Sequence, residues 1–101
     1  MSETNGLVAR GDGVIEVSGR MTFQTVPEFV TRGTALLNGG TGPITVDMQK
    51  AELVDSAGVA LMLEWSAKAR AARRELCFVN LHDQLRHLIG VSGLDEAFGL
   101  G

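Results

Sequence analysis

The chain has 101 residues, 45% hydrophobic and 21% charged, the balance of one folded globular domain over 1–101 and not of a disordered or membrane-embedded chain. Its net charge of −3 supplies no overall field for nucleic acid. The longest uninterrupted apolar run, 59–63, is far too short to span a bilayer, so no direct membrane insertion is expected. The first five residues are polar and acidic, unlike a secretory signal, and a cytoplasmic location is the expectation. Residues 1–5 and 99–101 are expected to be flexible ends.

In chain order, 7–10 and 14–18 read as two short strands around Gly11-Asp12-Gly13, a segment suited to a tight hairpin. Arg10-Gly11-Asp12 spells an integrin-recognition tripeptide, which carries no weight where no export is expected. Gly19 is expected to end the second strand. Thr22 or Thr25 then caps a helix with Pro27 near its start, where a missing amide costs little. Val26, Phe29, Val30, Gly33, Leu36 and Leu37 form its inward face, and Phe23, just before it, is a staple or a surface contact. The glycine-rich loop 38–43 follows a helix, enters a strand and lacks a Lys-Ser/Thr pair, the reverse of a phosphate-binding order.

Ile44, Val46 and Met48 alternate with Thr45 and Asp47, which predicts a strand. The alternation breaks at Val54-Asp55-Ser56-Ala57-Gly58. From Val59 the spacing is helical: Val59, Met62, Leu63, Ser66 and Ala69 form one row, Leu61 and Trp65 a second beside it. A helix this apolar needs cover on more than one side. Ser56 sits where an N-cap belongs, at the positive end of the helix dipole, and Gly58 permits close approach of a backbone or a phosphate. Asp55 competes with Ser56 for the cap, and Asp47 and Asp55 otherwise read as solvated loop carboxylates.

Farther on, Glu64 and Lys68 form an i,i+4 surface pair, and Lys68, Arg70, Arg73 and Arg74 complement the dipole at the helix C-terminus. Residues 75–81 read as an apolar strand buried on both faces, with Cys77 a buried small hydrophobe. Asp83 caps a third helix with Leu85, Leu88 and Ile89 inward, and a last helical turn covers 92–98. The order strand, strand, helix, strand, helix, strand, helix, helix predicts an α/β sandwich with helices mainly on one side.

No catalytic constellation is visible. Ser56 lacks the preceding glycine of a nucleophile elbow, and His82 and His87 stand without a convergent Cys or carboxylate pattern, so neither an enzyme, a metal site nor a cofactor is expected.

Val46-Asp47-Met48 followed by the run from Val54-Asp55-Ser56-Ala57-Gly58 into Val59-Ala60-Leu61-Met62-Leu63 resembles the signature of STAS domains, which include anti-sigma factor antagonists and transporter regulatory domains. That resemblance implies a mixed sheet of about four strands with helices mainly on one face. Met21-Thr22-Phe23, Thr25-Val26-Pro27, Leu63-Glu64-Trp65, Asn80-Leu81 with Gln84-Leu85, and 91–95 look like the MlaB type. The MlaB type belongs to the Mla ABC complex, which moves phospholipid between the membranes of diderm bacteria and so bears on outer-membrane lipid asymmetry.

The MlaB likeness implies a non-catalytic subunit, peripheral at the inner membrane, that binds and supports an MlaF-like ATPase in a complex containing a permease. Ser56 is then the central contact, Asp55, Ala57 and Gly58 shape its loop, and Phe29 and Phe23 supply aromatic partner contacts. The alternative is an anti-sigma factor antagonist, in which a partner kinase phosphorylates Ser56 and the phosphate ejects the partner. Ala57 stands where many such switch proteins carry Ser or Thr, and His82 where proline is expected.

Overall fold

The computed structural model describes residues 6–99. Its elements are β1 (Gly6–Ala9), β2 (Val14–Met21), α1 (Val26–Asn38), β3 (Ile44–Val54), α2 (Ser56–Ala71), β4 (Leu76–Val79) and α3 (Asp83–Val91). The strands form one sheet in the order β1-β2-β3-β4, with β1 antiparallel to β2 and the other two pairs parallel. This is the mixed α/β sandwich that the order of elements predicts.

Strand alternation sorts the two faces of the sheet. Leu7, Ile15, Val17, Ile44, Val46, Met48 and Phe78 meet Phe29, Leu37, Met62 and Trp65 from the helices in one buried cluster. Full burial of each large side chain contributes roughly 1.5–3 kcal/mol relative to exposure. On the opposite face, paired across the strands, lie Val8, Glu16, Asp47 and Val79, with Thr45 beside Cys77. The apolar α2 lies against α1, the sheet and α3. That cover leaves one strip open, and Leu63, expected inside, is exposed.

Several local expectations are corrected. Gly19 does not end β2. It takes φ 82°, and the pairing continues to Met21 through register shifts, because a bulge absorbs the irregularity without breaking the ladder. The strand over 75–81 is only β4, four residues long at the sheet edge, and Cys77 is exposed because it shares with Thr45 the sheet face away from the core. The third helix is capped by His82, whose Nδ1 accepts from the Leu85 amide, because Asp83 already lies inside the first turn. Residues 95–99 form successive turns instead of a helix, pinned where Phe98 meets Phe78 edge to face at 5.4 Å. Val30, expected inward, is partly exposed on α1.

Of the charged groups near the end of α2, Lys68 acts as expected and Arg74 does not. Lys68 pairs with Glu64 at 3.5 Å. Arg74 lies past the end of α2 and reaches back to donate to the carbonyls of Leu37, Thr41 and Gly42, so it fastens the α1–β3 loop instead of serving its own helix dipole. Among the described residues no helix is long and apolar enough to cross a membrane.

Candidate interaction site at the start of α2

Between β3 and α2 the chain turns on Asp55, which is extended at φ −99° and ψ −170°. Its carboxylate is the N-cap: Oδ1 accepts from the Gly58 amide at 3.1 Å. Oδ2 accepts from the Phe23 amide at 3.1 Å, and the Asp55 amide donates to the Met21 carbonyl at 3.3 Å. The cap therefore belongs to Asp55 and not to Ser56. Two carboxylate oxygens serve two amides at once, and a negative charge suits the positive end of the helix.

Relieved of capping, Ser56 is the first residue of α2 and is exposed, and among the described residues its hydroxyl has no hydrogen-bond partner. Ala57 is half-buried beside it. Gly58 is buried, and a Cβ there would collide with the Met21 carbonyl and the Val54 side chain. The close approach that Gly58 permits is therefore by the end of β2.

Phe23 and Phe29, both expected to face a partner, separate. Phe23 is 79% exposed beside the Asp55 cap. Phe29 is 1% exposed and cannot touch a partner, because helical spacing sets it with Gly33 and Leu37 on the inward face of α1. The turn carrying Phe23 is tied within itself: Thr25 Oγ1 accepts from the Thr22 amide at 2.9 Å and donates to the Arg20 carbonyl at 2.7 Å.

A second polar cluster lies on the open sheet face. Asp47, expected to be solvated, is buried; Oδ1 accepts from Asn80 Nδ2 at 2.9 Å and from the Gln49 amide at 3.0 Å, and Oδ2 pairs with Arg10 at 3.1 Å. The Asn80 hydrogen bond, then that of Gln49, holds its carboxyl below the usual carboxylate range against the opposing effect of burial, with Arg10 assisting. Glu16 joins Arg10 to Lys50 in the same network, so the arginine of the Arg10-Gly11-Asp12 tripeptide is occupied. Neither Arg10 nor Asn80 was legible as a partner of Asp47, since 37 and 33 residues separate them from it.

A cleft of about 440 Å³ is lined by Pro43, Thr45, Ser66, Arg70, Glu75 and Cys77 among others. It lies at the start of β3, whereas Ser56 follows the end of that strand. Ser56 is exposed and is not among the residues that line this cleft. Among the described residues no group of three or more His, Cys, Asp or Glu side chains is placed to hold a metal ion.

A family model described as "Mlab, STAS domain" matches residues 8–100. The chain belongs to the STAS-domain family. This STAS chain is 26% identical over 82 residues to the anti-sigma-B factor antagonist of Staphylococcus aureus (strain NCTC 8325 / PS 47), covering 81% of its own length and 76% of that relative. An anti-sigma factor antagonist from Mycobacterium paratuberculosis superposes with TM-score 0.78 at 23% identity, over 94% of this chain and 81% of that one. The phosphorylated form of the Bacillus cell fate determinant SpoIIAA gives TM-score 0.68 at 20% identity, over 92% of this chain and 86% of that one. At these identities the structural likenesses establish the STAS fold and nothing finer.

Proposed function

We propose that this STAS chain is a non-catalytic anti-sigma factor antagonist whose partner binding is switched by phosphate on Ser56. The observation that carries the reading is the exposed Ser56 hydroxyl, free of the cap because Asp55 occupies that role. The names of its relatives point the same way. In the transfer step Ser56 Oγ bonds to the γ-phosphorus of ATP held by the partner kinase. The bridging P–O bond breaks, ADP leaves, and the hydroxyl proton passes to a base of the kinase. The product carries about −1.5 to −2 charges at the helix start, favourable to the dipole but repulsive to a partner surface fitted to a neutral hydroxyl. Phe23 is the apolar anchor beside that hydroxyl.

The test is incubation with an anti-sigma-type serine kinase and ATP. Phosphate on Ser56, abolished by Ser56→Ala, and loss of kinase binding by Ser56→Asp support the reading; a stable complex that never transfers phosphate defeats it.

A second reading, a subunit that binds and steadies the ATPase of an Mla-type phospholipid transporter at the inner membrane, is favoured by the description of the matching family model. It predicts that the purified ATPase retains this chain and that Ser56 stays unmodified while it does so. Capture by the ATPase and not by the kinase would put this reading first.

A further inference from the structure

Ser56 and Phe23 lie on different elements, yet one carboxylate stands between them. Asp55 holds the Gly58 amide with Oδ1 and the Phe23 amide with Oδ2, both at 3.1 Å. Among the described residues, the bond to Phe23 is the one hydrogen bond between residues 22–25 and the start of α2. The rest of that turn bonds to itself, to β2 and to α1: the Thr25 and Val26 amides both donate to the Thr22 carbonyl, Thr25 Oγ1 ties back to Arg20, and the Thr25 carbonyl accepts from the Glu28 and Phe29 amides. Release by Asp55 therefore frees Phe23 without unmaking the bonds that hold the rest of the turn.

The first turn of α2 also has unused capacity. The amides of Ser56 and Ala57 have no partner among the described residues, as expected for the first positions of a helix. A phosphate on Ser56 Oγ is drawn to these two donors and to the Gly58 amide, the same amide that Asp55 now occupies. It also sets a second negative group beside the Asp55 carboxylate.

We propose that Asp55 is a positioning residue that couples the charge on Ser56 to the placement of Phe23, so that phosphate both repels the partner and withdraws its aromatic anchor. The inference rests on the phosphorylatable-switch reading, which it deepens by giving Ser56 a second lever on the partner. In the unmodified chain Asp55 presents Phe23 in one position. In the phosphorylated chain Asp55 is displaced from Gly58, gives up the Phe23 amide, and the exposed ring loses its fixed setting.

The test is amide hydrogen exchange, followed residue by residue by NMR, on the full chain with phosphoserine installed at position 56 during translation, so that no kinase is required. The Phe23 amide is expected to exchange about tenfold faster after phosphorylation, while the Thr25 and Val26 amides keep their protection. Asp55→Asn has one acceptor oxygen for the two amides and no charge for phosphate to repel, so it is expected to lose most of this response; its unfolding midpoint verifies that it is folded. Unchanged Phe23 exchange in the phosphorylated wild type overturns the proposal, as does an Asp55→Asn response as large as the wild type's. A responsive Phe23 in a chain that no anti-sigma-type kinase modifies keeps the coupling and removes the switch. A kinase substrate with an unresponsive Phe23 keeps the switch and removes the coupling.

Discussion

Gly33 of α1 lies directly under the indole of Trp65 in α2, so close that a Cβ added at Gly33 would collide with Nε1, Cε2 and Cζ2. The two helices approach because one position has no side chain and the facing position has the largest one. That approach lets α1 and α2 cover the sheet together, while the paired ends of β2 and β3 at Met21 and Val54 set the segments carrying Phe23 and Ser56 side by side.

Gly33→Ala is therefore expected to force the helices apart and to destabilise the fold by roughly 1–3 kcal/mol, measured as a lower urea midpoint. The clash is with one ring, so the cost in a Trp65→Phe background is expected to be smaller than in the wild type, and a double-mutant cycle reads the difference.

Arg74 gives a different kind of prediction. Its Nε donates to the Gly42 carbonyl at 2.8 Å and its two terminal nitrogens to Leu37 at 2.9 Å and Thr41 at 3.2 Å. Arg74→Ala is expected to cost roughly 1–3 kcal/mol and to raise amide exchange across residues 39–43. Arg74→Lys keeps the charge but not the planar fork, and is expected to recover less than half of the loss in urea unfolding.

Asp47 predicts an acid limb. Its folded-state carboxyl lies below its ordinary value, so the ionised form favours the folded chain at neutral pH. That contribution is complete above the unfolded value of about 4 and disappears as pH falls through the depressed folded value. Urea midpoints taken from pH 7 down to about 2 are expected to show wild type more stable than Asp47→Asn at neutral pH, with the gap closing on acidification. A gap of constant size across that range would contradict the assignment.

Phe23→Ala separates binding from folding. The ring is 79% exposed, so its removal is expected to change stability by no more than about 0.5 kcal/mol. Partner affinity, measured by calorimetry with whichever partner retains the wild-type chain, is expected to fall about tenfold. Phe29→Ala should show the reverse order, a stability loss of about 3–5 kcal/mol from an emptied core site.

Local pattern was enough for the architecture. Alternation at 44–48, helical spacing after Val59 and the break at Asp55-Ser56 are properties of neighbouring residues, and each appears in the structure as β3, α2 and their junction. Local pattern also placed Ser56 at the strand-to-helix junction, since a hydroxyl beside an acid at such a turn is visible in five consecutive letters.

What the neighbours along the chain could not decide was which face meets water and who bonds to whom. Asp55 takes the cap because a second amide, that of Phe23, arrives from 32 residues away to share its carboxylate, leaving the serine free. Phe29 goes inside on the row of α1 that it shares with Gly33 and Leu37, whereas Phe23, in the turn before that helix, stays out where its amide meets Asp55. Cys77 is exposed because alternation along β4 aims it, with Thr45 of the neighbouring strand, at the sheet face opposite the core, and which face the helices cover is decided by packing, not by an apolar run of four letters. Periodicity determines elements because it is set by backbone geometry; exposure and pairing are set by packing among elements, and only the folded chain supplies those distances.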